Sequence, residues 1–270
     1  MANPNIIIFS LCIIHTYCWD TNYVNISNFQ YDSSISFISK ININKNDSII
    51  DIGCGHGKIT HYLSNITDNT VLGIDKSYDL INYAKNNYIK NNLKFKTLDI
   101  TTDNITNIIN KKYDIILSFF CIPWIKNKNI VFSNIAKISN HNAHIYIMGA
   151  LMEKTHVMLI NELIKKPYWK QYYINFESPF DYLNDINYEY YANNSGIFTI
   201  IKNISNIYYT FNNRKELHDF NLAILPHLKV LNKEDKTKFV DELLDDYFKY
   251  IGREEYNIKF NVIKFIGYIP

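Results

Sequence analysis

Residues 49–57, Ile-Ile-Asp-Ile-Gly-Cys-Gly-His-Gly, constrain this chain more than any other stretch. A short β-branched run enters three alternating glycines, the pattern of a strand that turns sharply into a helix. Such a turn needs positive φ angles and close backbone approach, which glycine provides without a steric penalty. The spacing is G-x-G-x-G. It departs from the G-x-G-x-x-G of dinucleotide binders and from the G-x-x-x-x-G-K-[ST] of phosphate-binding loops. A dinucleotide needs the helix N-terminus to face a pyrophosphate, and this spacing does not match that need.

The flanking sequence carries the same rhythm. Ser48–Ile52, Val71–Asp75, Leu93–Leu98, Tyr113–Phe119 and Ala143–Gly149 read as strands buried on both faces. Lys58–Ser64, Tyr78–Tyr88, Asp103–Ile109 and Asn129–Ile138 have the length and polarity of covering helices. Strict alternation at this spacing implies parallel strands joined by right-handed crossovers, hence a doubly wound α/β sheet. Four regions follow: an N-terminal helical segment (1–47), the cofactor-binding core (48–150), a helical cap or insertion with a sixth strand (151–231), and a closing helix and strand (232–270). Asn232–Ile251 reads as an amphipathic helix and Asn257–Ile266 as the closing strand.

Composition narrows the function classes. The formal net charge is only +2, with no basic block of the kind that grips a phosphate backbone, which argues against nucleic acid as a partner. Cysteines at 12, 18, 54 and 121 show neither metal-ligand spacing nor a C-x-x-C pair, so no metal is expected and the thiols read as reduced, in a cytoplasmic protein. The apolar run Ile6–Ile14 falls short of the ~20 residues that span a bilayer and lacks a basic flank and a clear cleavage site. It reads as a buried segment rather than a signal peptide or a membrane span. Triplets such as Asn25-Ile26-Ser27 read as products of an Asn- and Ile-rich composition, not as glycosylation sites.

The glycine turn resembles motif I of class I S-adenosylmethionine-dependent methyltransferases, with Asp51 as its acidic member and Gly53, Cys54, Gly55 and Gly57 as the cofactor loop. The cofactor expected is S-adenosylmethionine, with S-adenosylhomocysteine as product. Its amino acid and sulfonium, not a pyrophosphate, would face the turn. The second strand ends at Asp75, where two acceptor oxygens can take both ribose hydroxyls. Lys76 and Ser77 follow at the lip, placed to flank the adenine. Asp99 offers a carboxylate to the adenine amino group beside the apolar Ile100, and Ser118-Phe119 end the fourth strand at the crevice. The resemblance implies a Rossmann-like, seven-stranded, mostly parallel sheet with a helical cap insertion.

After the fourth strand, nucleobase amino-methyltransferases carry Asn/Asp-Pro-Pro-aromatic. This chain has Ser118-Phe119-Phe120-Cys121-Ile122-Pro123-Trp124-Ile125 instead, which resembles juvenile hormone acid methyltransferases and, more loosely, trans-aconitate methyltransferases. That family commonly has His where Pro123 stands. Tyr23 and Gln30 are similar to its N-terminal Tyr…Gln helix, and Trp169…Tyr172 and Ile224-Leu225-Pro226 to its cap and sixth-strand region. By this resemblance Gln30 and Trp124 hold the carboxylate of a small-molecule acceptor. The chemistry agrees, because a carboxylate is ionised at neutral pH and needs alignment and dehydration rather than a base. Gln amide and indole N–H groups donate without neutralising it. Trp124 also reads as a core aromatic closing the pocket, and Gln30 as an exposed helical glutamine. A malonyl thioester, or an N or O group of a natural product, is the alternative acceptor. The alternative of another class is an inactive cofactor-binding partner protein. His56, His144 and His156 have no carboxylate partner by spacing and read as packing or surface residues. Tyr168, Trp169, Tyr172, Tyr173, Phe176, Phe180 and Tyr182 either line a deep apolar pocket or form the core of the cap, the second reading being preferred.

Overall fold

A computed structural model describes residues 27–151, 153–178 and 187–270. Tyr23, Phe180, Tyr182, Cys12, Cys18 and the Ile6–Ile14 run lie outside them.

The described chain opens with helix α1 (Asn28–Ile38). Four strands and their crossovers follow: β1 (Ile49–Ile52), α2 (Lys58–Leu63), β2 (Val71–Asp75), α3 (Tyr78–Asn87), β3 (Leu93–Thr97), α4 (Ile105–Ile108) and β4 (Tyr113–Phe119). A 3-10 turn (Ile122–Trp124) leads to α5 (Lys128–Lys137) and β5 (Ser139–Leu151). Next come α6 (Lys154–Leu163), α7 (Pro167–Lys170), α8 (Tyr188–Asn194), β6 (Phe198–Thr210), α9 (Arg214–Ile224), a second 3-10 turn (Pro226–Val230), α10 (Lys233–Ile251) and β7 (Asn257–Tyr268).

The strands form one seven-stranded sheet in the order β3-β2-β1-β4-β5-β7-β6. β1 through β5 pair in parallel, whereas β7 is antiparallel to both β5 and β6. The strand order reverses between β1 and β4, and ligands bind such sheets in the crevice at the carboxyl ends of those strands. Alternating residues feed opposite cores. Ile49, Leu117 and Phe119 pack with Leu63, Ala84 and Phe239 on one face, and Ile50, Ile52 and Ile116 with Val131, Phe132 and Tyr188 on the other. Each fully buried Ile or Leu contributes about 1.5–3 kcal/mol over its exposed form. This explains why the inner strands are continuous apolar runs.

Local chemistry fixes the ends. Ser77 caps α3 by accepting the Leu80 N–H, Asn127 caps α5 through the Ile130 N–H, and Asn232 caps α10 through the Asp235 N–H at 2.9 Å. α10 ends at Gly252, whose φ of +76° is the left-handed stop that glycine permits.

The sixth strand differs from the sequence expectation. Ile224-Leu225-Pro226 is not strand but the end of α9 and the start of a 3-10 turn. The sixth strand is Phe198–Thr210, an edge strand paired along β7 with an irregularity at Thr199/Ile201.

Candidate active site

The glycine turn is held from two sides. Gly53, Gly55 and Gly57 all have positive φ, at +75°, +55° and +85°. The N–H groups of Gly53 and Cys54 both donate to the Ile74 carbonyl, at 2.8 and 3.0 Å, which ties the turn to the end of β2. A Cβ on Gly53 would lie 2.3 Å from Cys121 Cβ and Sγ, so that position admits no side chain. A Cβ on Gly55 would meet nothing within 4 Å, because Gly55 borders open space.

That space is a cavity of about 600 Å³ at the carboxyl ends of the parallel strands, within the usual range for small-molecule sites. On its cofactor side lie Gly53, Cys54, Gly55, Asp75 and Lys76, joined by Asp99, Ile100 and Phe119. Asp75 accepts the Gly55 N–H on Oδ2 at 3.0 Å and the Ser77 N–H on Oδ1 at 2.8 Å. Burial pushes its carboxyl above the ordinary range, while the two backbone donors oppose that shift. Asp99 stands at the exposed lip, where its Oδ1 accepts from the backbone and hydroxyl of Thr101.

The remaining residues expected at the cofactor do not line the cavity. Asp51 is 2% exposed and accepts the Thr60 hydroxyl at 2.7 Å; burial pushes its carboxyl up to about 7. Gly57 leaves no room for a Cβ between Ala84 and Phe95. Ser77 caps α3, and the Ser118 hydroxyl donates to the Ile52 carbonyl at 2.9 Å. These four shape the wall from behind.

Gln30 and Trp124 are brought to the same cavity from far apart in sequence. Gln30 sits in the first turn of α1, is 8% exposed, and its Oε1 has no hydrogen-bond partner among the described residues. A buried acceptor left unsatisfied costs about 1–3 kcal/mol, and a hydrogen-bond donor on a bound ligand would complete it. Trp124 closes the 3-10 turn after β4. Pro123 lies where a Cβ on Gly149 would meet its Cγ at 2.5 Å; glycine there lets the turn press onto β5.

Apart from Phe120 and Ile224, the apolar wall comes from residues that the sequence did not single out. Phe29 stacks on Phe260 with ring centroids 4.2 Å apart, and Phe120 and Phe220 meet Phe29 edge-on at 5.5 and 6.4 Å. All four line the cavity, with Leu217, Asn221 and Ile224 of α9. The i, i+3, i+4, i+7 spacing of Leu217, Phe220, Asn221 and Ile224 was the available signal, since it marks one face of a helix. The aromatics Tyr168, Trp169, Tyr172, Tyr173 and Phe176 lie outside the lining. Trp169 and Tyr173 instead pack on Phe239 of α10, and the hydroxyls of Tyr168 and Tyr172 donate to Asp235.

Two histidines reach the cavity. His56 lines the cavity, and burial lowers its pKa to about 4. His156 lines it from α6, also shifted down by burial despite the opposing charge of Glu153. At the rim Lys126 and Glu177 form an ion pair of 2.7 Å. Among the described residues no group of His, Cys, Asp and Glu is arranged to hold a metal ion, and no helix is long and apolar enough to cross a membrane.

A doubly wound sheet with one antiparallel strand next to its edge, a three-glycine turn and an acid ending β2 define a class I methyltransferase. The family model described as "Methyltransferase domain" matches residues 43–177, and the chain belongs to that family. It is 49% identical to the 235L methyltransferase-family protein of Invertebrate iridescent virus 6 over 252 residues, 93% of each chain. It is 22% identical to juvenile hormone acid O-methyltransferase of Drosophila melanogaster over 74% of this chain and 70% of that one. Phosphoethanolamine N-methyltransferase 2 of Haemonchus contortus, solved with S-adenosyl-L-methionine, shares the fold with a TM-score of 0.55 at 15% identity, covering 92% of this chain and 56% of that one. S-adenosylmethionine is the cofactor of this class, and the residues present fit it: open space at Gly55, the Asp75 carboxylate for the ribose, and Asp99 with Ile100 for the base.

Proposed function

We propose that the protein methylates a carboxylate of a small-molecule acceptor to give a methyl ester. The convergence of Gln30 and Trp124, two neutral side chains that carry N–H donors, on one cavity supports this reading most strongly. When bound, S-adenosylmethionine supplies a methyl carbon on a sulfonium whose bonding electrons stay with sulfur, so the leaving group needs no acid. The acceptor oxygen brings its own charge and lone pair, so no base is needed either. Gln30 and Trp124 act by orienting that oxygen, since neutral donors align a carboxylate without quenching it. Phe29, Phe120, Phe220 and Phe260 exclude water from it, and dehydration raises the reactivity of a strongly hydrated nucleophile.

Incubation with methyl-labelled cofactor and a panel of fatty, isoprenoid and tricarboxylic acids tests this. Base-labile label on one of them is the expected outcome; base-stable label on other acceptors would contradict it. A second reading rests on His156, a neutral imidazole in the cavity that can take a proton from an N–H or O–H acceptor of a natural product. Base-stable label that is lost in His156→Phe would favour it. A malonyl thioester would use the same carboxylate chemistry and would show base-labile label on the thioester. Failure to bind S-adenosylhomocysteine in calorimetry would instead point to a partner protein without catalysis.

A further inference from the structure

His56 is buried inside the glycine turn, yet its ring reaches away from it, to the start of α1. Ser27 Oγ and His56 Nε2 lie 3.0 Å apart, both residues being less than 10% exposed. His56 Nδ1 accepts the Lys58 N–H at 3.3 Å, which leaves Nε2 as the protonated nitrogen and donor to Ser27. Ser27 occupies the N-cap of α1, where a serine hydroxyl ordinarily accepts from its own helix, but no such capping bond forms. A second tie runs parallel: Lys58 Nζ lies 3.9 Å over the Tyr31 ring. Ser27, Gln30 and Tyr31 are spaced i, i+3 and i+4, so they share one face of the first turn. The side chain between the two ties is Gln30.

We propose that His56 is a positioning residue: through Ser27 it couples the cofactor loop to the first turn of α1, so that loading the loop with cofactor sets the Gln30 amide for the acceptor. The proposal rests on Gln30 being an acceptor ligand. The turn it acts through is continuous with the site, since Gly55, next to His56, borders the cavity and is held by Asp75. Phe29, Phe37 and Ile38 anchor α1 in the core, so cutting the tie loosens the face that carries Ser27, Gln30 and Tyr31 without detaching the helix.

Hydrogen exchange of residues 27–38, with and without S-adenosylhomocysteine, tests the coupling without any knowledge of the acceptor. In the wild type, binding should slow exchange there about tenfold, the equivalent of one buried hydrogen bond. His56→Ala and Ser27→Ala should each abolish that slowing when S-adenosylhomocysteine saturates the protein, with occupancy set from the affinity that calorimetry gives for each variant. His56→Gln, which can still donate to Ser27, should restore it. Slowing that persists in both alanine variants, or is absent in a wild type that binds the ligand, overturns the proposal. Ser27→Ala keeps the test open should His56→Ala not fold. The carboxylate reading fails separately, in the acid panel, and the cofactor reading in wild-type calorimetry.

Discussion

Asp75 Oδ2 and the Gly55 backbone N–H lie 3.0 Å apart, joining the end of β2 to the middle of the glycine turn. One carboxylate thereby shapes the loop and faces the cavity where a ribose would lie. Hydrogen bonds to charged groups contribute about 1.5–3 kcal/mol. Asp75→Ala should therefore weaken S-adenosylhomocysteine binding by roughly tenfold to a hundredfold in calorimetry. Unchanged affinity would remove Asp75 from the cofactor site.

The glycines of the turn should fail in different ways. Gly53→Ala drives a Cβ into Cys121 at 2.3 Å, so the variant should lose several degrees of melting temperature or fail to fold. Gly55→Ala meets no protein atom and bears only the left-handed backbone penalty of about 1–2 kcal/mol. It should fold and lose cofactor affinity, because its methyl enters the space beside the ligand. Thermal melts paired with calorimetry separate the two.

Asp51 makes a prediction about pH. Burial raises its pKa from 3.8 to about 7 in the folded chain. Between those values the folded state holds a proton that the unfolded state has lost, so this group's contribution to stability falls as pH rises, by about 1.4 kcal/mol per pH unit at most. The effect is complete above about 7. Asp51→Asn should remove this component. The stability difference, variant minus wild type, should grow from pH 4 to about 7 and then level off, as read from denaturant melts across that range.

Gln30 should trade stability against function. Gln30→Leu replaces an unsatisfied buried amide with an apolar group of similar size, gaining about 1–3 kcal/mol, or roughly 2–4 °C for each kcal/mol. Ester formation should drop steeply while S-adenosylhomocysteine affinity is kept. A variant that is both less stable and fully active would show that the amide serves the fold.

The doubly wound half of the fold is legible from the sequence because β1 and β4 are buried on both faces, and burial leaves continuous apolar runs such as Ile49–Ile52 and Ile115–Leu117. β3, expected to be buried on both faces, is instead an edge strand that exposes Lys94 and Lys96 on one of them. β6 is hidden for the converse reason. As an edge strand it exposes Ile200, Ile204 and Tyr208, interleaves Asn and Ser, and breaks register near Thr199, so it carries no clean period of two. The acids ending β2 and β3 are readable from their place after a strand. Ser77, Ser118 and Gly57 stand in the same motifs but face the scaffold, which spacing alone does not distinguish. The acceptor wall is least legible, because Phe29, Phe120, Phe220 and Phe260 meet only when α1, α9 and β7 converge on the end of β4. The Phe120 φ of +57°, unusual for a bulky residue, marks that convergence in the structure and leaves no trace in sequence.

The most direct measurement is a crystal structure with S-adenosylhomocysteine bound. The ribose should lie on Asp75, and the sulfur should face the part of the cavity bounded by Gln30, Trp124 and Phe29. A sulfur turned away from Gln30 and Trp124, with no open volume between it and them, would contradict the assignment of that side to the acceptor.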